Sequence, residues 1–169
     1  VFRHNLGEKK ASIIALVATF FLSVFPVLLP RTIAGIPEKE AAALFFFFAA
    51  FYFFLASWNS SKTSWRYSLA VLAALSTAGM ASIWGGYIFI FVGIAPTVFI
   101  AFIFGKVGKK ETQTYATWLI FSILILLTFS ERFSIVNLIH NMYTLSSAIV
   151  LFIIIIHLLL YNTGFRKYV

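Results

Sequence analysis

The chain alternates between long apolar runs and short polar segments. Six apolar runs occur, over residues 11–29, 41–57, 68–84, 87–104, 115–129 and 145–161. They are at or just below the ~20 residues that carry a helix across the apolar core of a bilayer. Within each run the apolar residues are continuous, whereas the strands of a membrane β-barrel alternate apolar and polar residues. The pattern predicts an all-α, polytopic membrane helix bundle with about six transmembrane helices, forming a single domain over residues 1–169.

Composition supports lipid as the main solvent of this chain. Of its 169 residues, 62% are hydrophobic, which exceeds the apolar share of ordinary soluble domains. The net charge is +8, but the basic residues are dispersed between the apolar runs and build no evident basic face. A nucleic-acid partner is therefore not expected. The chain has no cysteine, which excludes disulfides and thiolate metal sites.

The charges of the polar segments predict the orientation in the membrane. If the N-terminal segment is cytoplasmic, ten basic residues fall in cytoplasmic segments and three in outer segments. Such an excess of Lys and Arg marks the cytoplasmic side of membrane proteins. The outer side then holds residues 31–40, the turn at residues 84–87 and the segment 131–137. We expect any active site to face away from the cytoplasm.

The third apolar run carries small residues at regular intervals. Ala70, Ala74, Ala78 and Ser82 recur every four residues. Small side chains on one face allow helix backbones to approach closely in lipid. The pattern predicts that this helix lies inside the bundle.

Two glutamates stand at the outer edge of the second apolar run, in the stretch RTIAGIPEKE at residues 31–40. Pro37 suits the first position of a helix, and Glu38 and Glu40 in the first turn would complement the helix dipole. Alternatively, two carboxylates separated by one residue offer oxygen ligands to a hard cation such as Mg²⁺ or Mn²⁺. The two interpretations are compatible, and both stay open at this point.

Two further outer features have an ordinary and a functional interpretation. Arg31 either extends its charge into the membrane interface or pairs with a phosphate or carboxylate. The stretch WGGY at residues 84–87 is either a turn with interfacial aromatic residues or a place where a lipid head group approaches the backbone. In the functional interpretation Gly85 and Gly86 allow that approach and Tyr87 offers a hydroxyl group.

These two segments, taken in order, resemble a known family. RTIAGIPEKEAAALFFFF resembles the part of the oligosaccharyltransferase catalytic subunit that reads Arg-Ser/Thr-x-Ala/Ser-Gly, two residues, and then acid-x-acid. ASIWGGYIFI resembles that family's Trp-Gly-Gly-Tyr segment, in the same order and on the same predicted face. The resemblance covers residues 25–105 most firmly. It implies a membrane domain of the GT-C type of glycosyltransferase.

The resemblance also implies an activity and a set of site residues. The family transfers an oligosaccharide from a lipid-linked (di)phosphate donor to asparagine in Asn-x-Ser/Thr of an acceptor polypeptide. By analogy, Glu38 and Glu40 bind the catalytic Mn²⁺ or Mg²⁺, and Arg31 is the catalytic arginine of the same loop. Trp84, Gly85, Gly86 and Tyr87 would bind the lipid-linked donor. The enzyme would lie in an archaeal cell membrane as a single-subunit type, or in the endoplasmic reticulum of a eukaryote.

The chain also departs from the family pattern. Glu38 stands where the family usually has Asp, and the family's upstream acidic motif, downstream Thr-x-x-Glu-like loop and WWDYG segment are not found. We therefore expect a piece of a longer enzyme that is inactive alone. Three alternatives stay open: another GT-C enzyme that uses lipid-phosphate sugars, a transporter or channel, and a non-catalytic helix bundle. A transporter requires ionisable residues in mid-membrane, and only His157 qualifies.

Overall fold

The computed structural model describes residues 7–24, 39–129 and 133–162. The helices in these ranges are α1 (Glu8–Val24), α2 (Lys39–Asn59), α3 (Thr63–Ile83), a 3₁₀ turn (Gly85–Tyr87), α4 (Ile88–Ile103), α5 (Lys109–Phe129), α6 (Ile135–His140) and α7 (Met142–Asn162). The described residues contain no strand, so the all-α prediction is confirmed. Each predicted apolar run, where it is described, corresponds to one long helix, apart from Trp84, Tyr87 and Phe104 at the ends of two runs.

Two features of the helix order differ from the apolar pattern. Helix α5 begins at Lys109, six residues before the predicted run at 115, because the polar stretch KKETQT is helical too. The short helix α6 was not predicted. Ser134 caps it by accepting a hydrogen bond from the backbone N–H of Asn137, at 3.1 Å. This is the usual role of serine before a helix.

Four stretches of the described residues are long and apolar enough to cross a membrane. They are Lys39–Asn59, Thr63–Ile83, Gly85–Ile103 and Met142–Leu160. Large apolar side chains cover much of the outside of the bundle, including Phe45, Phe152 and Ile103, which are 70%, 64% and 65% exposed. Helix α1 buries none of its side chains. An apolar exterior of this kind suits contact with lipid or with further membrane helices.

Helix α3 is the central element, and α2 and α5 pack against it. Its buried residues include the small side chains Ala70, Ala73, Ala74, Thr77 and Ala81, so the predicted burial of this helix is confirmed. Ala78 is only half-buried and Ser82 is exposed. A helix has 3.6 residues per turn, so a strict four-residue spacing drifts away from the contact face.

A tryptophan from α5 joins the central helices. Trp118 is fully buried, and its ring contacts those of Phe54 in α2 and Phe91 in α4, at centroid distances of 5.6 and 5.2 Å. Tyr115, one turn earlier in α5, donates a hydrogen bond to the Ser147 carbonyl of α7, at 2.9 Å. These contacts tie four helices into one core.

The bundle has two distinct ends. At the Arg66 end, the Ser57 hydroxyl donates to the Arg66 carbonyl at 2.8 Å, and the Arg66 guanidinium donates to Gln113 at 2.9 Å. At the opposite Tyr87 end, the ring of Tyr87 contacts that of Phe133 at 5.4 Å. The segments that the charge pattern assigns to opposite sides of the membrane therefore gather at opposite ends, while the orientation itself stays a prediction.

Candidate functional site

The structure describes five of the seven residues predicted to form the site. Glu40 and the segment Trp84–Tyr87 lie within the described ranges, whereas Arg31 and Glu38 lie outside them. The site is therefore built here from its described part at the Tyr87 end.

Glu40 lies in the first turn of α2 and is half-buried. This position agrees with the helix-start interpretation of the acid, because a negative charge in the first turn complements the helix dipole. It also fixes the carboxylate to a rigid helix rather than to a loop. In the first turn of α2 the Glu40 carboxylate lies at the end of the bundle, so the helix-start role is compatible with a role as a metal ligand.

The antiparallel register of α2 and α3 relates Glu40 to the WGGY turn. Ser57 pairs with Arg66 at one end of the two helices. Farther along, the ring of Phe46 lies 2.7 Å from the position that a Cβ atom on Gly79 would occupy. Six residues before Phe46 is Glu40, and six residues after Gly79 is Gly85. The first turn of α2 and the WGGY turn therefore lie at the same level of the bundle.

The WGGY turn reverses the chain between α3 and α4. The Trp84 backbone N–H donates to the Met80 carbonyl at 2.8 Å and ends α3, and the 3₁₀ turn Gly85–Tyr87 leads directly into α4. The indole ring of Trp84 lies over Gly86, where any Cβ atom would overlap it. Gly85 is exposed, with no atom within 4 Å of its would-be Cβ. The two glycines therefore differ: Gly86 accommodates the Trp84 ring, and Gly85 leaves backbone open.

Tyr87 is buried and anchors the turn to the rest of this end. Its hydroxyl oxygen accepts a hydrogen bond from the Asn141 side-chain amide at 3.3 Å. Its ring makes edge-to-face contacts with Phe91 and Phe133, at 6.1 and 5.4 Å. Sequence reasoning did not select Phe133 or Asn141. The signal that could have found Asn141 is an amide residue between two helices, α6 and α7, on the predicted outer side.

The described residues supply an incomplete set of ligands for a cation. Glu40 offers carboxylate oxygens of the kind that hard divalent ions prefer. Within residues 7–24, 39–129 and 133–162, no group of three or more Asp, Glu, His or Cys side chains could hold a metal ion. Any metal site here would need Glu38 and ligands from outside the described residues.

Comparison with known proteins identifies the family. The family model described as "Oligosaccharyl transferase STT3, N-terminal" matches residues 6–166, which include both RTIAGIPEKE and WGGY. The chain belongs to the STT3 family. The resemblance inferred from those two segments is thereby confirmed, and with it the assignment to a polytopic membrane protein of the GT-C type.

Individual STT3 proteins are similar over about two thirds of the chain. The dolichyl-diphosphooligosaccharide–protein glycosyltransferase subunit STT3 of Saccharomyces cerevisiae is 32% identical over 111 residues, which are 66% of this chain and 15% of that protein. The corresponding Dictyostelium discoideum subunit is 28% identical over 110 residues, or 65% of this chain and 15% of that protein. The Arabidopsis thaliana subunit STT3B is 29% identical over 110 residues. The chain thus matches only a small part of each STT3 relative.

Proposed function

We propose that the full-length protein to which this chain belongs transfers an oligosaccharide from a lipid-linked (di)phosphate donor to asparagine in Asn-x-Ser/Thr of an acceptor polypeptide. The chain belongs to a family of oligosaccharyl transferases, and its relatives are named as glycosyltransferase subunits. The single structural observation that supports the proposal is that Glu40 and the WGGY turn lie at the same level of the bundle. An acid and an open stretch of backbone then lie at one end of a rigid bundle.

The metal-binding role belongs to Glu38 and Glu40. Carboxylate oxygens are the ligands that Mn²⁺ and Mg²⁺ favour, and Glu40 is held on the first turn of a helix. Such an ion supplies positive charge that stabilises a departing phosphate group. Because two glutamates do not complete a coordination sphere, the remaining ligands must come from other segments of the full-length protein.

Arg31 and the WGGY turn take the donor-binding roles. A guanidinium forms paired, charge-assisted hydrogen bonds with phosphate oxygens, which is the role of Arg31. The half-buried Trp84 ring and the open backbone at Gly85 offer an apolar surface and a polar backbone to a lipid phosphate. Gly86 and Tyr87 hold the turn in position. Gly86 lies under the Trp84 ring, and Tyr87 is buried against Phe133 and Asn141.

The membrane setting of the proposal follows from the charge pattern. With the Arg66 end on the cytoplasmic side, the site at the Tyr87 end faces away from the cytoplasm. The donor would reach it from the surrounding lipid, either in an archaeal cell membrane or in the endoplasmic reticulum. The acceptor polypeptide would arrive from the non-cytoplasmic side.

The test is a transfer assay with the full-length protein in detergent. It measures transfer of glycan from a lipid-linked donor to a fluorescent peptide that contains Asn-x-Thr, for the wild type and Glu40→Gln. The matched control is Glu111→Gln, which removes one carboxylate at the Arg66 end. Transfer that is lost only in Glu40→Gln supports the proposal. Transfer to an acceptor other than asparagine, and none to the peptide, would favour another lipid-phosphate glycosyltransferase instead.

A further inference from the structure

A buried cation lies at the Arg66 end, away from the proposed active site. Arg66 is only 6% exposed. Its guanidinium donates one hydrogen bond to the Gln113 side-chain oxygen, at 2.9 Å, and lies 5.4 Å from the centre of the Tyr67 ring. The Nε–H is buried, and no other group of the described residues accepts a hydrogen bond from it. Both contacts of this charged group are therefore with neutral groups, which is costly for a buried charge.

The backbone around Arg66 adds to the positive potential. Arg66 lies in the first turn of α3, where the helix dipole disfavours a cation. This turn contains no acidic residue, and Lys62, the N-cap, makes no side-chain capping hydrogen bond. The Arg66 N–H donates to the Lys62 carbonyl at 3.0 Å, so both cations belong to one turn. The start of this helix therefore adds positive potential instead of offsetting the charge of Arg66.

Helix α5 also begins at this end and repeats the pattern. Gln113, the partner of Arg66, shares a helix face with Lys110, three residues earlier. The nearby acid, Glu111, is oriented back toward its own helix start, where its carboxylate accepts a hydrogen bond from the Gly108 N–H at 3.0 Å. The N-termini of α3 and α5, the buried Arg66 guanidinium, Lys62 and Lys110 thus all lie at this end of the bundle.

In the part of the chain that the structure describes, neutral polar contacts and no counter-charge hold the backbone of Arg66. The Ser57 hydroxyl donates to the Arg66 carbonyl at 2.8 Å and lies 3.4 Å from the Thr114 hydroxyl oxygen. These contacts join α2, α3 and α5 at one point. They hold the Arg66 backbone in place, and the hydrogen bond to Gln113 orients the guanidinium whether or not an anion is present.

We propose that the Arg66 end binds a phosphate group, with Arg66 as the buried anchor and Lys62 and Lys110 as outer contacts. The planar guanidinium matches phosphate oxygens in pairs, and the N-termini of helices favour phosphate as well. Lipid head groups and free phosphate ions share this chemistry. Because the Arg66 end lies at the ends of predicted membrane-spanning helices, an anionic phospholipid is the form expected. The proposal does not depend on the transfer activity.

The experiment measures phosphate binding by the full-length protein with two probes. Nanodiscs of phosphatidylcholine, with or without phosphatidylglycerol, report on a lipid head group, and inorganic phosphate in detergent reports on the free ion. Native mass spectrometry counts retained phosphatidylglycerol, and the thermal midpoint is followed for both probes. Wild-type protein is expected to retain phosphatidylglycerol over phosphatidylcholine and to unfold at a higher temperature with it.

Three variants separate the site from general charge effects. Gln113→Glu places a carboxylate beside the guanidinium, so the fold is kept while affinity for phosphatidylglycerol falls roughly tenfold, the scale of one lost charge-assisted hydrogen bond. Arg66→Gln should show the same loss. Lys9→Gln removes an equal charge from α1, where no side chain is buried, and should bind as the wild type does.

Each outcome decides the proposal. Loss of preference in Gln113→Glu, with Lys9→Gln unchanged, supports the site, and a response to inorganic phosphate alone would assign it to the free ion. Equal retention of phosphatidylglycerol and phosphatidylcholine by the wild type, with no response to phosphate, would overturn it. An equal loss of retained phosphatidylglycerol in all three variants would also overturn it, because the binding would then depend only on the net charge of the protein. Peptide glycosylation is not a readout here, so failure of this test leaves the proposed function standing.

Discussion

The indole N–H of Trp118 donates a hydrogen bond to the Thr77 hydroxyl oxygen at 3.1 Å, at a fully buried point between α5 and α3. The Thr77 hydroxyl in turn donates to the Ala73 carbonyl of its own helix at 2.9 Å. A polar chain therefore crosses the interface in the middle of an aromatic core. It fixes both the rotation of α3 and the position of the large indole ring.

We expect Trp118→Phe and Thr77→Val to destabilise the fold in a coupled way. Trp118→Phe removes the donor and part of the ring volume, at a cost of about 1–3 kcal/mol. Thr77→Val leaves the buried indole N–H without an acceptor and costs about 1 kcal/mol. The double variant should cost less than the sum, by roughly 0.5–1 kcal/mol, which is the usual coupling of an interhelical hydrogen bond in a membrane protein.

The measurement is the midpoint of unfolding in detergent mixed with increasing sodium dodecyl sulfate, followed by circular dichroism. Thr128→Val is a matched control, because the exposed Thr128 hydroxyl donates to carbonyls of its own helix and, among the described residues, to no other helix. Additive effects of Trp118→Phe and Thr77→Val would contradict the coupling.

The ring of Phe46 in α2 packs directly against Gly79 in α3. A Cβ atom at this position would lie 2.7 Å from one ring atom of Phe46 and 2.8 Å from the next. Gly79→Ala should therefore force the Phe46 ring to move and destabilise the bundle by about 1–3 kcal/mol, the range for overpacking. The same detergent titration measures the effect.

A second substitution tests the cause of this effect. Phe46→Leu shortens the side chain that the new methyl group meets, so it should recover part of the stability lost in Gly79→Ala. Gly85→Ala is the control for replacing glycine itself, because its Cβ would point into open space. An unchanged midpoint in Gly79→Ala would show that the two helices are not so close.

The apolar pattern predicts the helices of this fold well, because continuous runs near bilayer length have few other structures open to them. It also brings the WGGY turn and the segment that includes Phe133 to one end, since successive spanning helices alternate in direction. The pattern of apolar runs does not predict the short helix α6. Its one local signal is Ser134 as an N-cap, which is weak in a polar segment.

Side-chain contacts between distant positions could not be predicted in this way. The charge pattern assigns Arg66 to a cytoplasmic segment, but the structure buries it against Gln113, 47 residues later. Likewise, Asn141 reaches Tyr87 across 54 residues. Such pairs depend on the rotation of each helix about its axis, and apolar runs that are hydrophobic on every side do not determine that rotation.

The Trp84 ring over Gly86 gives a prediction that separates the two glycines of the turn. Gly86→Ala should displace the indole ring, since the added methyl group would overlap it. We expect peptide glycosylation by the full-length protein to fall at least about tenfold, the effect of losing roughly 1.4 kcal/mol of binding or positioning. Gly85→Ala should keep the ring in place and reduce glycosylation less.

The displacement of Trp84 can be tested apart from activity. Quenching of tryptophan fluorescence by acrylamide should increase in Gly86→Ala relative to Gly85→Ala, as the Trp84 ring becomes more accessible. Trp84→Ala combined with Gly86→Ala should glycosylate no worse than Trp84→Ala alone, because the overlap no longer exists. An added loss in the double variant would give Gly86 a direct contact with the donor.

The acidic pair predicts a dependence on divalent metal that the two glutamates share. Removing metal from the full-length protein with a chelator should abolish peptide glycosylation, and Mn²⁺ or Mg²⁺ should restore it, because carboxylates bind these hard ions. In Glu40→Gln the amide is a weaker ligand, so the metal concentration for half-maximal activity should rise at least about tenfold, and Glu38→Gln should behave alike.

The free energy of unfolding of Glu40→Gln should stay within about 1 kcal/mol of the wild type, since loss of an acid in the first turn of a helix costs little. Glu111→Gln, at the opposite end of the bundle, should leave the metal dependence unchanged. If both Glu38→Gln and Glu40→Gln responded to metal as the wild type does, these acids would have no part in binding the metal.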